Sequence, residues 1–211
     1  MNPRHPRKTE PQDTQLGLLV RYEDIEPHLI QGELRGREWI HQRALNPDTP
    51  PYLGDTDILD LHQAAFEHIY AWAGTTRRTE VGPGGTVHVR SFEVRARLRE
   101  LQYDFAVWYD TLPDSWQLEE AAELMARTHH QFEFIHPFPD TNGRTGRLLD
   151  HYVLWVSLGA AGPSLEESPQ IVHFPDETAV GDYFQALHEA TNRRDYRLLT
   201  AYYLRRLEEA L

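Results

Sequence analysis

His136-Pro137-Phe138-Pro139-Asp140-Thr141-Asn142-Gly143-Arg144-Thr145-Gly146-Arg147 joins a polar, glycine-containing turn to the apolar run Leu148-Leu149-Asp150-His151-Tyr152-Val153-Leu154-Trp155-Val156. The run reads as a buried helix ending near Leu158. A turn that opens onto a helix N-terminus collects phosphate. The first backbone N–H groups have no partner within the helix, and the helix dipole favours negative charge there. Arg144 and Arg147 stand three apart on one helix face, so both can add charge-assisted bonds to one polyphosphate. Gly143 lets the backbone come close to a ligand. Asn142 shapes the turn, and its side chain is within reach of a phosphate oxygen. Imidazoles exchange protons near neutral pH, which makes His136 the candidate general base. Asp140 is the candidate magnesium ligand, because Mg2+ takes one or two carboxylates and completes its octahedron with substrate phosphates and water. Pro137 fixes the turn and Phe138 anchors it in the core.

Outward from this segment the chain reads as helices joined by short loops. Ile58, Leu61, Ala65, Ile69 and Trp72 recur at helical spacing over Asp57–Trp72, and Gly74 supplies a stop. Ser91 is a natural N-cap for a helix to Tyr109 carrying Leu98, Leu101, Phe105 and Trp108 on one side. Asp114 or Ser115 caps a third, in which Leu118, Ala122, Met125 and His129 share a face. Gly159 to Pro163 breaks the chain, and Tyr183–Ala190 and Tyr196–Leu207 give two more amphipathic helices. Glu33–Ala44 adds an earlier one. Thr79-Glu80-Val81, Gly82-Pro83-Gly84-Gly85 and Thr86-Val87-His88-Val89 read instead as a short β-hairpin, which is marginal alone and must lie on something.

Composition narrows the function classes. The 211 residues suit one domain, and 40% hydrophobic content with five Trp, ten Tyr and eight Phe supports a real core. No run reaches the roughly 18–20 apolar residues that span a membrane. Met1 to Pro11 is polar and lacks the apolar stretch of a secretory signal, so residues 1–15 read as a disordered tail ahead of a single domain over 16–211. The absence of cysteine excludes disulfides, thiol nucleophiles and Cys-ligated zinc and fits a reducing compartment. A net charge of −12 disfavours nonspecific nucleic-acid binding and makes the motif arginines a local positive site.

The opening segment resembles the signature of Fic/Doc proteins, H-P-F-x-[D/E]-G-N-G-R-x-x-R. Thr141 stands where the family usually has Gly. Tyr70-Ala71-Trp72-Ala73-Gly74 ahead of the hairpin is similar to the corresponding region of bacterial Fic proteins. The order helix, hairpin, helix, helix, motif, helix agrees as well, so the resemblance covers residues 50–205. It implies an all-α, Fic-like helical bundle with a small β-hairpin flap at 79–89 and a motif loop at 136–147. It also implies a protein adenylyltransferase with ATP as donor and Mg2+ as cofactor. A Tyr, Ser or Thr hydroxyl of a target protein attacks the α-phosphate, AMP joins the protein and pyrophosphate leaves. In that reading His136 takes the proton, Asp140 holds the metal, and Asn142, Gly143, Arg144, Arg147 and Thr141 bind the phosphates. Val87, His88 and Val89 form the flap strand that docks the target by backbone pairing.

The expected location is the cytoplasm of the cell or of another cell to which the protein is delivered. The family's self-inhibition motif, [S/T]-x-x-x-E-[G/N], sets a Glu against the second motif arginine. Ser164-Leu165-Glu166-Glu167-Ser168 has the wrong spacing for it, and the glutamates from Glu33 to Glu38 lack the Ser/Thr lead. Control then falls to a separate antitoxin-like protein, or to none. Thr141 is expected at negative φ, since helix-opening turns accept Thr without strain.

Three alternatives stay open. The family's scaffold serves several phosphate-containing donors, so the donor can be another nucleotide or a phosphoryl donor. His129, His130, His136 and His151 with Asp150 hint at a metal-dependent phosphohydrolase, a class that gives no reason for Asn-Gly-Arg-x-x-Arg. A Fic-like fold kept as a binding module is the third, with Thr141 as its mark of decay.

Overall fold

Periodic apolar positions produce helices throughout the computed structural model, which describes residues 14–16, 22–46, 48–54, 56–80, 89–111, 117–158 and 177–210. Seven α-helices lie among the described residues: α1 (Tyr22–Leu45), α2 (Asp57–Phe66), α3 (Val94–Asp110), α4 (Leu118–Ile135), α5 (Asn142–Leu158), α6 (Glu177–Arg193) and α7 (Arg197–Ala210). A 3-10 turn over Ser91–Glu93 leads into α3. The expectation of an all-α bundle holds for these residues. The hairpin is a different matter: residues 81–88, with Val87 and His88, lie outside the described residues, as do residues 1–13, Asp114, Ser115 and the break with its acidic stretch at 159–176.

The centre of the bundle is α4, packed against α3, α5, α6 and α7, while α1 lies across α2 and α5. The α4 residues Ala122, Met125, Ala126 and Phe132 are fully buried, as are Leu149 and Val153 of α5 and Phe105 of α3. At about 25 cal/mol per Å² of buried apolar surface, such residues dominate the folding free energy. Close approach of α1 is set by two glycines four residues apart. A Cβ at Gly32 would stand 2.8 Å from Ala65 O on α2, and one at Gly36 would stand 2.5 Å from Leu148 Cδ1 on α5. The crossing therefore holds Glu33, between those glycines, over the start of α5.

Element boundaries differ from the sequence expectations for local reasons. Helix α2 stops at Phe66, short of Trp72. The His62 Nδ1 accepts a hydrogen bond from Gly74 N at 2.9 Å, and Tyr70 stacks on Trp72 at 4.4 Å between ring centroids, so the chain winds over its own helix as turns. Ser91 does not cap α3; its hydroxyl donates to Glu80 at 2.8 Å. Helix α4 is capped by Gln117 and Glu120 in a reciprocal capping box. Helix α1 starts at Tyr22, well before Glu33, and carries Pro27. Helix α5 begins inside the motif, at Asn142.

Candidate active site

Helix α4 ends at Ile135, and the next residue, His136, turns the chain in the left-handed region with φ 49 and ψ 62. A left-handed non-glycine residue is uncommon and strained, and such residues gather at functional sites. What holds it is Arg77, a fully buried arginine to which the sequence reading gave no role. Its Nε donates to His136 O at 2.7 Å, Nη2 donates to Ile135 O at 3.3 Å and to Val89 O, and Nη1 donates to Thr79 O at 3.1 Å. The Arg77 backbone N–H donates to Pro137 O at 2.8 Å. One planar guanidinium thus closes the C-terminus of α4, where the dipole is negative, and ties Thr79 and Val89 to it. Val89 is the one member of the expected docking strand within the described residues. It is 6% exposed, and its N–H donates to Phe134 O at 3.4 Å.

Between His136 and α5 the loop is braced from inside. Asn142 Oδ1 accepts from Phe138 N at 2.9 Å and its Nδ2 donates to Phe138 O at 2.8 Å. The side chain expected to reach a phosphate is engaged with the turn instead, and Asn142 is 3% exposed. Thr141 lies at φ 63, in the left-handed region, which overturns the expectation of negative φ. The physical reason is the turn itself: it needs the conformation that the family's usual Gly adopts without cost, and a β-branched residue there costs on the order of 1–3 kcal/mol. The hydroxyl is bonded inward. His62 Nδ1 accepts from Gly74, so its Nε2 carries the hydrogen and donates to Thr141 Oγ1 at 2.9 Å, while Thr141 donates to Asp140 O at 2.6 Å. His62 stacks on Phe138 at 3.6 Å, and burial pushes its pKa down to about 3, keeping the ring neutral. Neutral hydrogen bonds of about 0.5–1.5 kcal/mol each offset the strain.

Asp140 is half-buried, with Oδ1 accepting from Thr141 N at 2.6 Å and Oδ2 from Tyr70 OH at 3.4 Å. No group of three or more His, Asp or Glu suited to a metal lies among the described residues. A single carboxylate beside a helix N-terminus does fit a magnesium ion coordinated mainly by nucleotide oxygens and water. The N–H groups of the first turn of α5, Gly143 among them, have no acceptor within the helix. Gly143 is exposed, and a Cβ there would meet nothing closer than Arg147 Nη1 at 3.8 Å. Its lack of a side chain thus answers to no neighbour in the bundle.

The two motif arginines converge on one carboxylate, Glu33 of α1. Arg144 Nη1 is paired with Glu33 Oε1, and Arg147 Nη2 donates to the same oxygen at 3.4 Å. Glu33 is 6% exposed. Nothing in the local sequence marks Glu33, because Leu29 and Leu34 occupy the places of the motif's Ser/Thr and Gly/Asn. Its carboxylate faces both motif arginines.

Two histidines of the phosphohydrolase alternative, His129 and His130, have other duties. His129 Nδ1 faces Asp150 Oδ2 at 2.9 Å and its Nε2 pairs with Tyr183 OH at 2.7 Å. Burial opposes the cationic ring, yet the Asp150 carboxylate raises His129 above its ordinary value. His130 pairs with Thr191 at 3.2 Å and Tyr196 at 3.3 Å, and burial lowers it to about 4. Both rings join α4 to the C-terminal helices.

The start of α5, a histidine on a left-handed turn and a carboxylate in the loop between them thus lie together at one end of a helical bundle. The family model described as Fic/DOC family matches residues 52–154 of the chain. Protein adenylyltransferase Fic of Nematostella vectensis is 28% identical over 137 residues, 64% of this chain and 28% of that protein. Protein adenylyltransferase fic-1 of Caenorhabditis elegans is 29% identical over 157 residues, 74% of this chain and 27% of that protein. The chain therefore spans about a quarter of the length of these curated relatives. Among solved structures, the BepC effector protein of Bartonella tribocorum with bound AMPPNP aligns with a TM-score of 0.67 at 16% identity, covering 94% of this chain and 93% of that one. The N-terminal Fic domain of a Bartonella quintana effector with bound ADP gives 0.68 at 15% identity, over 95% and 92%.

Proposed function

We propose that the chain is a protein adenylyltransferase that moves AMP from ATP to a Tyr, Ser or Thr hydroxyl of a target protein. The observation that supports it best is the convergence of His136, Asp140 and both arginines around the N-terminus of α5. Arg144, Arg147 and the first N–H groups of α5 bind the triphosphate. Asp140 would hold a magnesium ion, which supplies charge neutralisation for the leaving pyrophosphate. The hydroxyl oxygen forms a bond to the α-phosphorus and the bridging bond to the β-phosphate breaks. The hydroxyl proton goes to His136, and pyrophosphate departs. The flap residues Val87, His88 and Val89 remain the proposed docking strand.

Glu33 gives this reading a built-in restraint. A triphosphate competes with its carboxylate for the same guanidiniums, so the free chain binds ATP weakly or in a displaced pose. Control then needs no separate antitoxin-like protein. Glu33→Ala is expected to raise transfer by tenfold or more and tighten ATP binding, since a charge-assisted contact is worth about 1.5–3 kcal/mol. Transfer rate and calorimetric titration read both. An unchanged rate with unchanged affinity would reduce Glu33 to a packing contact.

One observation favours the binding-module alternative, the left-handed Thr141. Its inward hydrogen bonds and the intact surroundings weigh against decay. Thr141→Gly is expected to change transfer less than tenfold, because strain and hydrogen bonds are removed together. A gain of several hundred-fold on restoring Gly would identify the natural chain as impaired and support the module reading.

A further inference from the structure

Behind His136 lies a carboxylate that the reaction as written does not use. Glu133 sits in the last turn of α4, and its Oε2 is 3.6 Å from His136 Nδ1, with the two side chains 14% and 24% exposed. Room for it comes from Gly146 of α5: a Cβ there would stand 2.9 Å from Glu133 Oε1 and 3.1 Å from His129 Cε1. Burial alone would push the Glu133 carboxyl up, but His136, His129 and Arg147 outweigh it and hold it below the usual carboxylate range. The charged groups facing Glu133 are therefore His129 and His136 from α4 and its end, and Arg147 from α5. Beyond His129 stand Asp150 and Tyr183, and Tyr203 donates to Asp150 at 2.9 Å.

We propose that Glu133 is a positioning residue for His136: its carboxylate takes the Nδ1 hydrogen and so leaves Nε2 as the proton acceptor. An imidazole whose Nδ1–H is held by a carboxylate keeps one tautomer, and its protonated form is stabilised by the negative neighbour. When the target hydroxyl attacks, its proton moves to Nε2, and Glu133 stays ionised opposite the imidazolium. The separation of 3.6 Å shortens to a hydrogen bond with a small ring rotation, as catalytic pairs commonly do once substrate is bound. The assignment rests on His136 as the base.

The test is the rate of transfer in the Glu33→Ala protein, with and without Glu133→Gln. Glutamine keeps the size and removes the charge. Maximal transfer is expected to fall about tenfold or more, a share of the 10²- to 10⁴-fold that a positioned base supplies, while KM for ATP stays within about twofold. An undiminished maximal rate overturns the proposal. A second measurement covers a Gln variant that fails to fold. In the unsubstituted chain, the nitrogen-15 shifts of the neutral His136 ring should report Nδ1–H, and Nε2–H overturns the proposal. Transfer that survives His136→Ala would refute the base assignment itself, and the ring spectrum would still decide whether Glu133 sets the tautomer.

Discussion

His136→Ala lowers AMP transfer by about 10²- to 10⁴-fold while folding and ATP binding stay as they were. The expectation follows from where the residue sits. Its backbone, not its ring, closes α4, through Arg77 Nε to His136 O at 2.7 Å and His136 N to Phe132 O at 2.9 Å. Alanine takes φ 49 at a somewhat greater cost than histidine, too little to undo the turn that Arg77 holds. The groups proposed to bind phosphate belong to α5 and are untouched. Thermal melting and calorimetric ATP titration check the second half of the statement, and a rate assay checks the first. A variant that modifies its target near the parent rate would remove His136 from the chemistry.

The second large effect is on the fold. Arg77→Ala strips donors from the carbonyls of His136, Ile135, Val89 and Thr79 at once. Arg77 is 2% exposed, so the carbonyls buried around it find no water in its place. Each buried polar group left unsatisfied costs about 1–3 kcal/mol. Even with partial relaxation the loss should reach about 3 kcal/mol or more, a fall in Tm on the order of 10 °C for a domain of this size. Lysine keeps the charge but cannot present the planar fork, so Arg77→Lys should recover only part of it. A melting curve for either variant that overlays the parent would show that the turn at His136 holds itself.

Much of this was legible in the sequence, and the rest was hidden for physical reasons. The sequence places a helix in each of the seven helical segments, through residues such as Leu98, Leu101 and Phe105, because apolar spacing reports a buried face directly. The motif placed His136, Asp140, Arg144 and Arg147 in one loop and helix start, where chain continuity alone keeps them close. What failed were contacts between distant segments. Glu33 and Arg144 are 111 positions apart and meet because Gly32 and Gly36 let α1 lie close against α2 and α5, and no short motif encodes a helix crossing. Arg77 stands beside Arg78 in the sequence, and nothing local tells the buried one from its neighbour. His62 reads as an ordinary helix residue until Gly74 and Thr141 are seen on its two nitrogens. The left-handed Thr141 shows a further limit, since a residue's preference for a conformation yields to what the turn requires.

The central claim, that AMP rather than phosphate is transferred and that His136 drives it, is tested most directly by label position. The Glu33→Ala protein, alone and in a cell extract that supplies protein hydroxyls, is incubated with magnesium and ATP labelled at either the α- or the γ-phosphate. The α-label is expected to become covalently attached to protein, the γ-label is not, and attachment is expected to disappear when His136→Ala is added. Attachment of γ-label, or of α-label undiminished by His136→Ala, would contradict it.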